Sequence, residues 1–171
     1  MVDFTTFDSF INSTLGETIG EGECWDYINL LWSHLGSRYY TYPPSDPSST
    51  NHGVKWGWIN EEARAANTIT HLTQITSLSN VKRGDVIVIS DGEYGHAAFA
   101  AEDYQGTGYL SFYSQNYNWI EEVRLDINVS MANFLGAWRY DAWQTPPHPV
   151  AETKKRFPWV LYARKLRESR L

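Results

Sequence analysis

The spacing of apolar residues changes once along this chain of 171 residues, near residue 75. Before that point apolar residues recur every three or four positions, which is the period of an amphipathic α-helix. After it they alternate or form short runs bounded by glycine-bearing turns, as strands do. Helices followed by consecutive strands are typical of the α+β class. The sequence therefore predicts N-terminal helices packed on an antiparallel β-sheet.

Three helices are expected before the change of period. Apolar residues recur at helical spacing over residues 3–15 and over residues 24–35, where one stripe contains Trp25, Ile28, Leu31, Trp32 and Leu35. Gly36 marks the end of the second helix. Residues 37–53 are rich in serine and proline and predict a loop, whereas residues 58–67 predict a short third helix.

Five strands are expected after the change of period, in the order of a meander. They cover residues 86–89, 96–102, 108–117, 121–129 and 134–142. The stretch "TPPHPV", residues 145–150, then interrupts the pattern. We therefore expect one domain over residues 1–145, followed by a proline-rich hinge and a basic, aromatic tail over residues 146–171.

The net charge of −6 is unevenly distributed along the chain. Residues 146–171 hold seven of the 14 basic and two of the 20 acidic residues, which leaves the first 145 residues with a net charge of −11. An acidic body does not fit a nucleic-acid-binding domain. The basic tail suits an acidic partner or surface, and it equally suits a solvated terminal helix.

Neither a signal peptide nor a membrane span is predicted. The N-terminus has no basic start followed by an apolar run, and no segment approaches the roughly 20 apolar residues of a membrane span. We expect a protein that is made in the cytoplasm, does not insert into a membrane, and reaches any outside target by another route.

Cys24 is the one cysteine of the chain, and it stands where the second helix is predicted to begin. No disulfide can form within such a chain. Unpaired backbone N–H groups and the positive end of the helix dipole favour a thiolate at a helix N-terminus. Cys24 is thus a candidate nucleophile, although a lone cysteine also serves as a small buried apolar residue.

A catalytic thiol requires a general base, and histidine is the usual one. The chain has five histidines: His34, His52, His71, His96 and His148. His34 lies nearly three helical turns from Cys24, which is too far to reach the thiol. His96 opens a predicted strand directly after a glycine turn, in "EYGHAAFA". On the residues alone, a catalytic role and an ordinary surface or core role both stay open.

The imidazole in turn needs a carboxylate or an amide on its other nitrogen. The third predicted strand ends in "SQNYN", which offers Ser114, Gln115, Asn116 and Asn118. Polar residues at the end of a strand are also common turn formers. The triplet alone therefore does not decide which residue, if any, has this role.

In order and spacing, four stretches of the chain together resemble the CHAP family, the cysteine, histidine-dependent amidohydrolases/peptidases. The stretches are "GECWDYINLLW", "VKRGDVIVISDGEYGHAAFAAE", "YLSFYSQNYN" and "FLGAWRY". The match runs over about residues 10–140, and "RGDVIVI…YGHAAF" is its most specific part. The resemblance implies a papain-like α+β fold and hydrolysis of peptidoglycan.

Carried over by position, the resemblance implies Cys24 as the nucleophile, His96 as the general base and Asn116 as the residue that orients the imidazole. Many members have a glutamate two residues before that asparagine, where this chain has Ser114. Many also have glutamine before the cysteine, where this chain has Glu23. We expect Glu23 to point away, because its charge opposes an oxyanion, and the Cys24 backbone N–H to hold the oxyanion.

Aromatic residues near the expected site are candidates for the walls of a substrate groove, and each is equally a plausible core residue. They are Trp56, Trp58, Tyr94, Tyr117 and Trp119. Some phage members of the family bind calcium in an Asp-rich loop before the nucleophile. The residues ahead of Cys24 lack that pattern, so no metal and no other cofactor is expected.

The residues and the resemblance together predict a cysteine amidase or endopeptidase that degrades the bacterial cell wall. Two settings fit: a phage endolysin released through a holin, and a virion-associated lysin docked to a phage tail protein through its C-terminal tail. The alternative is a non-catalytic structural or binding component with the same fold. A transglutaminase-like or deubiquitinase-like enzyme is a third hypothesis. An activated thiol would react with iodoacetamide at pH 6, whereas an ordinary one would react hardly at all.

Overall fold

The computed structural model describes residues 6–36, 38–42, 45, 53–69 and 72–140. Within them the helices precede the strands, as the change of period predicted. The helices are α1 (Phe7–Thr14), α2 (Cys24–His34), α3 (Val54–Ile59) and α4 (Glu61–Ile69). The strands are β1 (Leu72–Ile75), β2 (Val86–Ile89), β3 (His96–Ala100), β4 (Tyr109–Ser114), β5 (Arg124–Ser130) and β6 (Phe134–Tyr140). The α+β class is thereby confirmed.

The six strands form one antiparallel sheet in the order β1-β6-β2-β3-β4-β5. Strands β2 to β5 follow one another as the predicted meander. The last strand corrects the prediction, because β6 returns across the sheet to pair with β2 and β1. Strand β1 was not predicted, since its four residues, "LTQI", form neither an alternating pattern nor a continuous apolar run such as that of β2.

The segment predicted as one helix over residues 58–67 is two helices that meet at Asn60. The Asn60 side chain accepts a hydrogen bond from the Ala63 N–H at 2.9 Å, which caps the start of α4. Helix α2 agrees with its prediction to within one residue. Its buried residues are Tyr27, Ile28, Leu31 and Trp32. Trp25, expected in that stripe, is instead 39% exposed.

Apolar side chains are buried on both faces of the sheet. The first core lies between the helices and the sheet and includes Phe10, Ile28, Val88, Phe99 and Trp138. The second core lies on the opposite face and includes Ile87, Ile89, Ala98, Leu110 and Phe112. Strand β2 is buried along its whole length, which explains why its sequence, "VIVI", is a continuous apolar run.

Several predictions fall outside the described residues. They are the tail over residues 146–171 and the positions of His52, His71 and His148. Among the helices that the structure does describe, none has the length and apolar character required to cross a bilayer.

A methyl group added at Gly136 tests how closely the helices pack on the sheet. A Cβ there would lie 1.8 Å from Trp58 Cζ2, and the Trp58 ring is held edge-on against Trp138 with centroids 5.1 Å apart. Since neither ring has free space around it, Gly136→Ala should lower the free energy of unfolding by about 2–3 kcal/mol. Urea denaturation followed by circular dichroism measures this loss.

The double variant Gly136→Ala/Trp58→Phe supplies the control, because the smaller ring relieves the overlap. It should be less destabilised than the sum of the two single variants. Strictly additive losses would contradict the packing described here.

Candidate active site

Cys24 is the first residue of α2, and its sulfur faces the start of β3. The backbone N–H groups of Ala97 and Trp25 lie close enough to the thiol to favour its ionised form and lower its pKa. Ala97 directly follows His96 in β3, so the structure brings the predicted nucleophile and the predicted base to the same end of the same strand. The two residues are 72 positions apart in sequence and meet because α2 packs on β3.

Burial determines the protonation state of the thiol. Burial raises the pKa of Cys24 most, the charge of Glu23 adds to the rise and the two backbone N–H groups oppose it, so that the pKa is about 11. The helix N-terminus alone predicted a lowered pKa, but desolvation of the thiolate outweighs it here. At neutral pH Cys24 is therefore a neutral thiol.

His96 is buried at the first position of β3. Its ring packs against Tyr117 at a centroid distance of 5.1 Å and against Phe112 at 6.0 Å. Its Nε2 atom is enclosed, and no hydrogen-bond partner for it is found among the described residues. Burial lowers the pKa of His96 to about 3. The imidazole is thus neutral over the physiological range and able to accept a proton.

The two side chains reach the start of β3 from different sides of the sheet. Cys24 packs against the first core. The ring of His96 contacts Phe112 and Tyr117, which belong to the second core or pack on it. A buried polar atom without a partner is uncommon and calls for an explanation. Among the described residues Nε2 has no bond to Cys24 or to any other group.

Asn116 lies at the end of β4, close to the segment before Cys24. Its Nδ2 donates a hydrogen bond to Glu23 Oε2 at 3.0 Å. The sequence led us to expect that Glu23 points away from the site. Instead, its carboxylate is directed toward Asn116, next to the candidate nucleophile. The backbone of Asn116 has a φ of 61°, a conformation that asparagine tolerates better than most residues. Its role in orienting His96 stays a prediction.

Gln115 makes contacts that the sequence did not assign to it. Its buried amide bonds to the backbone of Ile19 and of Glu23, which ties the end of β4 to the segment preceding the nucleophile. The neighbouring Ser114 donates to Asp126 Oδ2 at 2.8 Å, and Arg124 pairs with Asp126 Oδ1 at 2.8 Å. Arg124 also donates to the Tyr117 carbonyl at 3.2 Å, which supports the ring that packs on His96.

The five groove candidates fall into different environments. Trp119 is 91% exposed and Tyr94 is 57% exposed. Trp56 and Tyr117 are partly buried. Trp58 is only 7% exposed and packs in the first core, which leaves little of it for a substrate to contact. Trp119 borders a shallow depression lined by Thr18, Ile120, Glu121 and Glu122.

No group of three or more His, Cys, Asp or Glu side chains is placed to hold a metal ion in the part of the chain that the structure describes. The expected absence of a metal and of any other cofactor stays a prediction.

Comparison with known proteins gives a likeness in fold. No protein-family model matches the chain, and no curated protein matches it. The crystal structure of the wild-type endolysin LysIME-EF1 matches with a TM-score of 0.53 and 22% identity over 78% of this chain. Ly7917 with the hydrolyzing product of MDP matches with a TM-score of 0.49 and 16% identity over 77% of this chain, which is too weak to support an argument.

The matched region spans 63% of the LysIME-EF1 chain and 60% of the Ly7917 chain, so this protein corresponds to less than two thirds of either. At these identities the likeness establishes the α+β fold, and the activity has to be argued from the site.

The pH dependence of alkylation tests the buried thiol. Because the pKa of Cys24 is raised to about 11, the thiolate fraction grows about tenfold per pH unit through pH 9. Iodoacetamide should therefore react slowly at pH 6, and its rate should still be rising at pH 10. Since the chain has one cysteine, mass spectrometry reads the modification at a single site.

The same protein in 6 M urea is the matched control, and its rate should level off near pH 9, as for an ordinary thiol. A folded-state rate that reaches its plateau below pH 8 would show an activated thiol and contradict the burial argument.

Proposed function

We propose that this chain is a cysteine peptidoglycan hydrolase of the CHAP type, in which Cys24 attacks an amide carbonyl. One observation carries the proposal: the single thiol of the chain lies at a helix N-terminus against the start of β3, the strand opened by the buried His96, whose Nε2 has no partner among the described residues. A neutral thiol and a neutral imidazole at one strand end form a pair in which a proton passes from one to the other.

The reaction starts from the neutral pair. As the Cys24 sulfur attacks the carbonyl carbon, its proton passes to His96, so no free thiolate has to exist beforehand. The imidazolium then protonates the leaving amine, and a thioester to Cys24 remains. His96 next removes a proton from water, the hydroxide attacks the thioester, and the expelled sulfur regains its proton from the imidazolium.

The oxyanion that forms at each attack needs donors at the helix start. The backbone N–H of Cys24 has no acceptor inside α2, because the first four N–H groups of a helix lack one. This N–H is the proposed oxyanion donor. The carboxylate of Glu23 next to it lowers the local positive potential, and its hydrogen bond to Asn116 holds the charge on one side of the site.

The proposed substrate is peptidoglycan, cut either between muramic acid and L-Ala or within a stem or cross-bridge peptide. Exposed aromatic rings stack on sugar rings and peptide groups. Two candidate rings are exposed: Tyr94, two residues before His96, and Trp119, in the turn after β4. LysIME-EF1, which shares the fold, is an endolysin. We propose the same cell-wall target here, in a phage endolysin or in a virion-associated lysin whose tail over residues 146–171 binds a phage tail protein.

A second candidate is a non-catalytic wall-binding or structural component with the same fold. The observations that favour it are the raised pKa of Cys24, to about 11, and the lowered pKa of His96, to about 3. In the resting protein these values leave both groups uncharged, without a preformed thiolate–imidazolium pair.

Removing the thiol separates the two candidates. Wild-type protein incubated with purified Gram-positive cell walls should release muropeptides with new amine ends, and Cys24→Ala should lower that rate at least 10³-fold. His96→Ala should act similarly, because the sulfur then loses its proton acceptor. Mass spectrometry of the fragments measures the loss and identifies the bond.

His34→Ala is the matched histidine control, because His34 is exposed at the opposite end of α2 and should leave the rate unchanged. Undiminished release of muropeptides by Cys24→Ala, or no release by the wild type, would refute the hydrolase proposal and favour the binding module.

Trp119 tests the proposed groove. Because its ring is 91% exposed, Trp119→Ala should leave stability within about 0.5 kcal/mol. The loss of ring stacking should weaken binding to cell walls about 5–10-fold. Sedimentation of inactive Cys24→Ala protein with cell walls measures this binding.

Tyr109→Ala is the control for an exposed aromatic, because Tyr109 opens β4 at the end opposite to the site. Equal losses for the two variants would count against a groove at Trp119.

A further inference from the structure

We propose that Gln115 is a positioning residue, which fixes the peptide group between Glu23 and Cys24 and so aims the oxyanion donor. The inference rests on the proposed acyl transfer at Cys24, but not on the identity of the substrate. Nothing in the sequence assigned this role, since Gln115 was one of four polar residues at the end of a strand.

The amide of Gln115 is fully buried and fully bonded. Its Oε1 accepts from the Ile19 N–H at 2.6 Å. Its Nε2 donates to the Ile19 carbonyl at 2.9 Å and to the Glu23 carbonyl at 2.8 Å. Exchanging the oxygen and nitrogen would place an acceptor against two carbonyls and a donor against an N–H. The orientation of the amide is therefore fixed by its partners.

The bond to the Glu23 carbonyl acts directly on the Cys24 N–H. Both belong to one peptide group, which is planar and trans, so the C=O and the N–H point in opposite directions. When Nε2 of Gln115 holds the carbonyl oxygen, the N–H on the other side cannot rotate. The first residue of a helix has no intrahelical acceptor for that N–H, so it stays available to an oxyanion.

Other contacts hold the ends of the same segment, and a hydrogen bond from the Gly22 N–H to the Ile19 carbonyl at 3.1 Å closes a turn at its centre. The Gly16 N–H donates to the Val123 carbonyl and the Val123 N–H donates to the Glu17 carbonyl, both at 2.8 Å. At the other end, the Asp26 carboxylate accepts from the Glu21 N–H at 2.9 Å and from the Glu23 N–H at 3.3 Å. Gln115 bonds to the segment at Ile19, between these anchors, and again at Glu23.

Asn67 provides a matched residue away from the thiol. It too is fully buried, and its amide accepts from the Tyr40 N–H and donates to the carbonyls of Tyr40 and Gly57. The two amides thus brace the backbone in the same way. Of the two side chains, Gln115 is the one that braces the peptide group carrying the candidate oxyanion donor, whose carbonyl also accepts from the Asp26 N–H at 3.1 Å.

The test compares two reactions of Cys24 that differ in whether an oxyanion forms. Acetyl transfer from p-nitrophenyl acetate gives a thioacetate and p-nitrophenolate, with the thiol proton released to the buffer, and it passes through a tetrahedral oxyanion. Alkylation by iodoacetamide displaces iodide from a saturated carbon and forms no oxyanion. Both rates are measured at pH 8, with Cys24→Ala subtracted as the blank.

In Gln115→Glu the donor Nε2 becomes an oxygen that faces two carbonyls. The acylation rate should fall about 10-fold or more, because a displaced Cys24 N–H stabilises the oxyanion less well. The alkylation rate should change less than 3-fold. Gln115→Asn, whose side chain is shorter by one methylene, should lower the ratio of acylation rate to alkylation rate as Gln115→Glu does. Asn67→Asp should leave that ratio at its wild-type value.

Equal losses of acylation and alkylation in both Gln115 variants would overturn the inference, because Gln115 would then hold the fold or the thiol itself. So would an unchanged acylation rate, or an altered ratio in Asn67→Asp. A wild-type protein that acylates normally but releases no muropeptides would refute the peptidoglycan proposal and leave the role of Gln115 intact.

Discussion

The candidate site depends on the hydrogen bonds between the segment before α2 and the end of β4. Gln115 bonds to Ile19 and Glu23, and Val123 bonds to Gly16 and Glu17. These contacts join the beginning of the chain to residues about 100 positions later. Without them α2 would still pack on the sheet through its apolar face, but its first turn would have no fixed position relative to β3. The distance from Cys24 to the start of β3, where His96 lies, would then vary.

Two effects compete at Cys24, and their sizes decide its resting state. The helix N-terminus and two N–H donors favour the thiolate, whereas burial and the charge of Glu23 favour the thiol. Burial prevails at the sulfur, which packs on the first core. Burial against Phe112 and Tyr117, on the other side of the sheet, keeps His96 uncharged. In the proposed reaction the thiol proton would therefore pass during the attack, and hydrogen-bond donors in a site that excludes water would interact more strongly with the developing charge.

Local patterns were enough to predict α2, β2 and the position of His96, because each is set by period and by an adjacent glycine turn. The position of β6 between β1 and β2 was not predictable in this way, since it depends on which strands distant in sequence pair with one another. The same holds for the burial of Trp58, which depends on the missing side chain at Gly136.

The hydrogen bonds of Gln115 were equally beyond local patterns, because they span 92 and 96 residues. The sequence therefore predicted the elements that carry Cys24 and His96, whereas the contacts between those elements appeared only in three dimensions.

Ser114 shows how a neighbouring strand supplies a hydrogen-bond partner. By the resemblance to the CHAP family, many members have a glutamate at the position where this chain has Ser114. In the structure its hydroxyl donates to Asp126, so a carboxylate is present on that side, contributed by β5. Asp126 is already paired with Arg124, and the pair adds little net charge near the imidazole. This agrees with desolvation as the cause that lowers the pKa of His96. The carboxylate thus supports Ser114 and the end of β4 without converting His96 to an imidazolium.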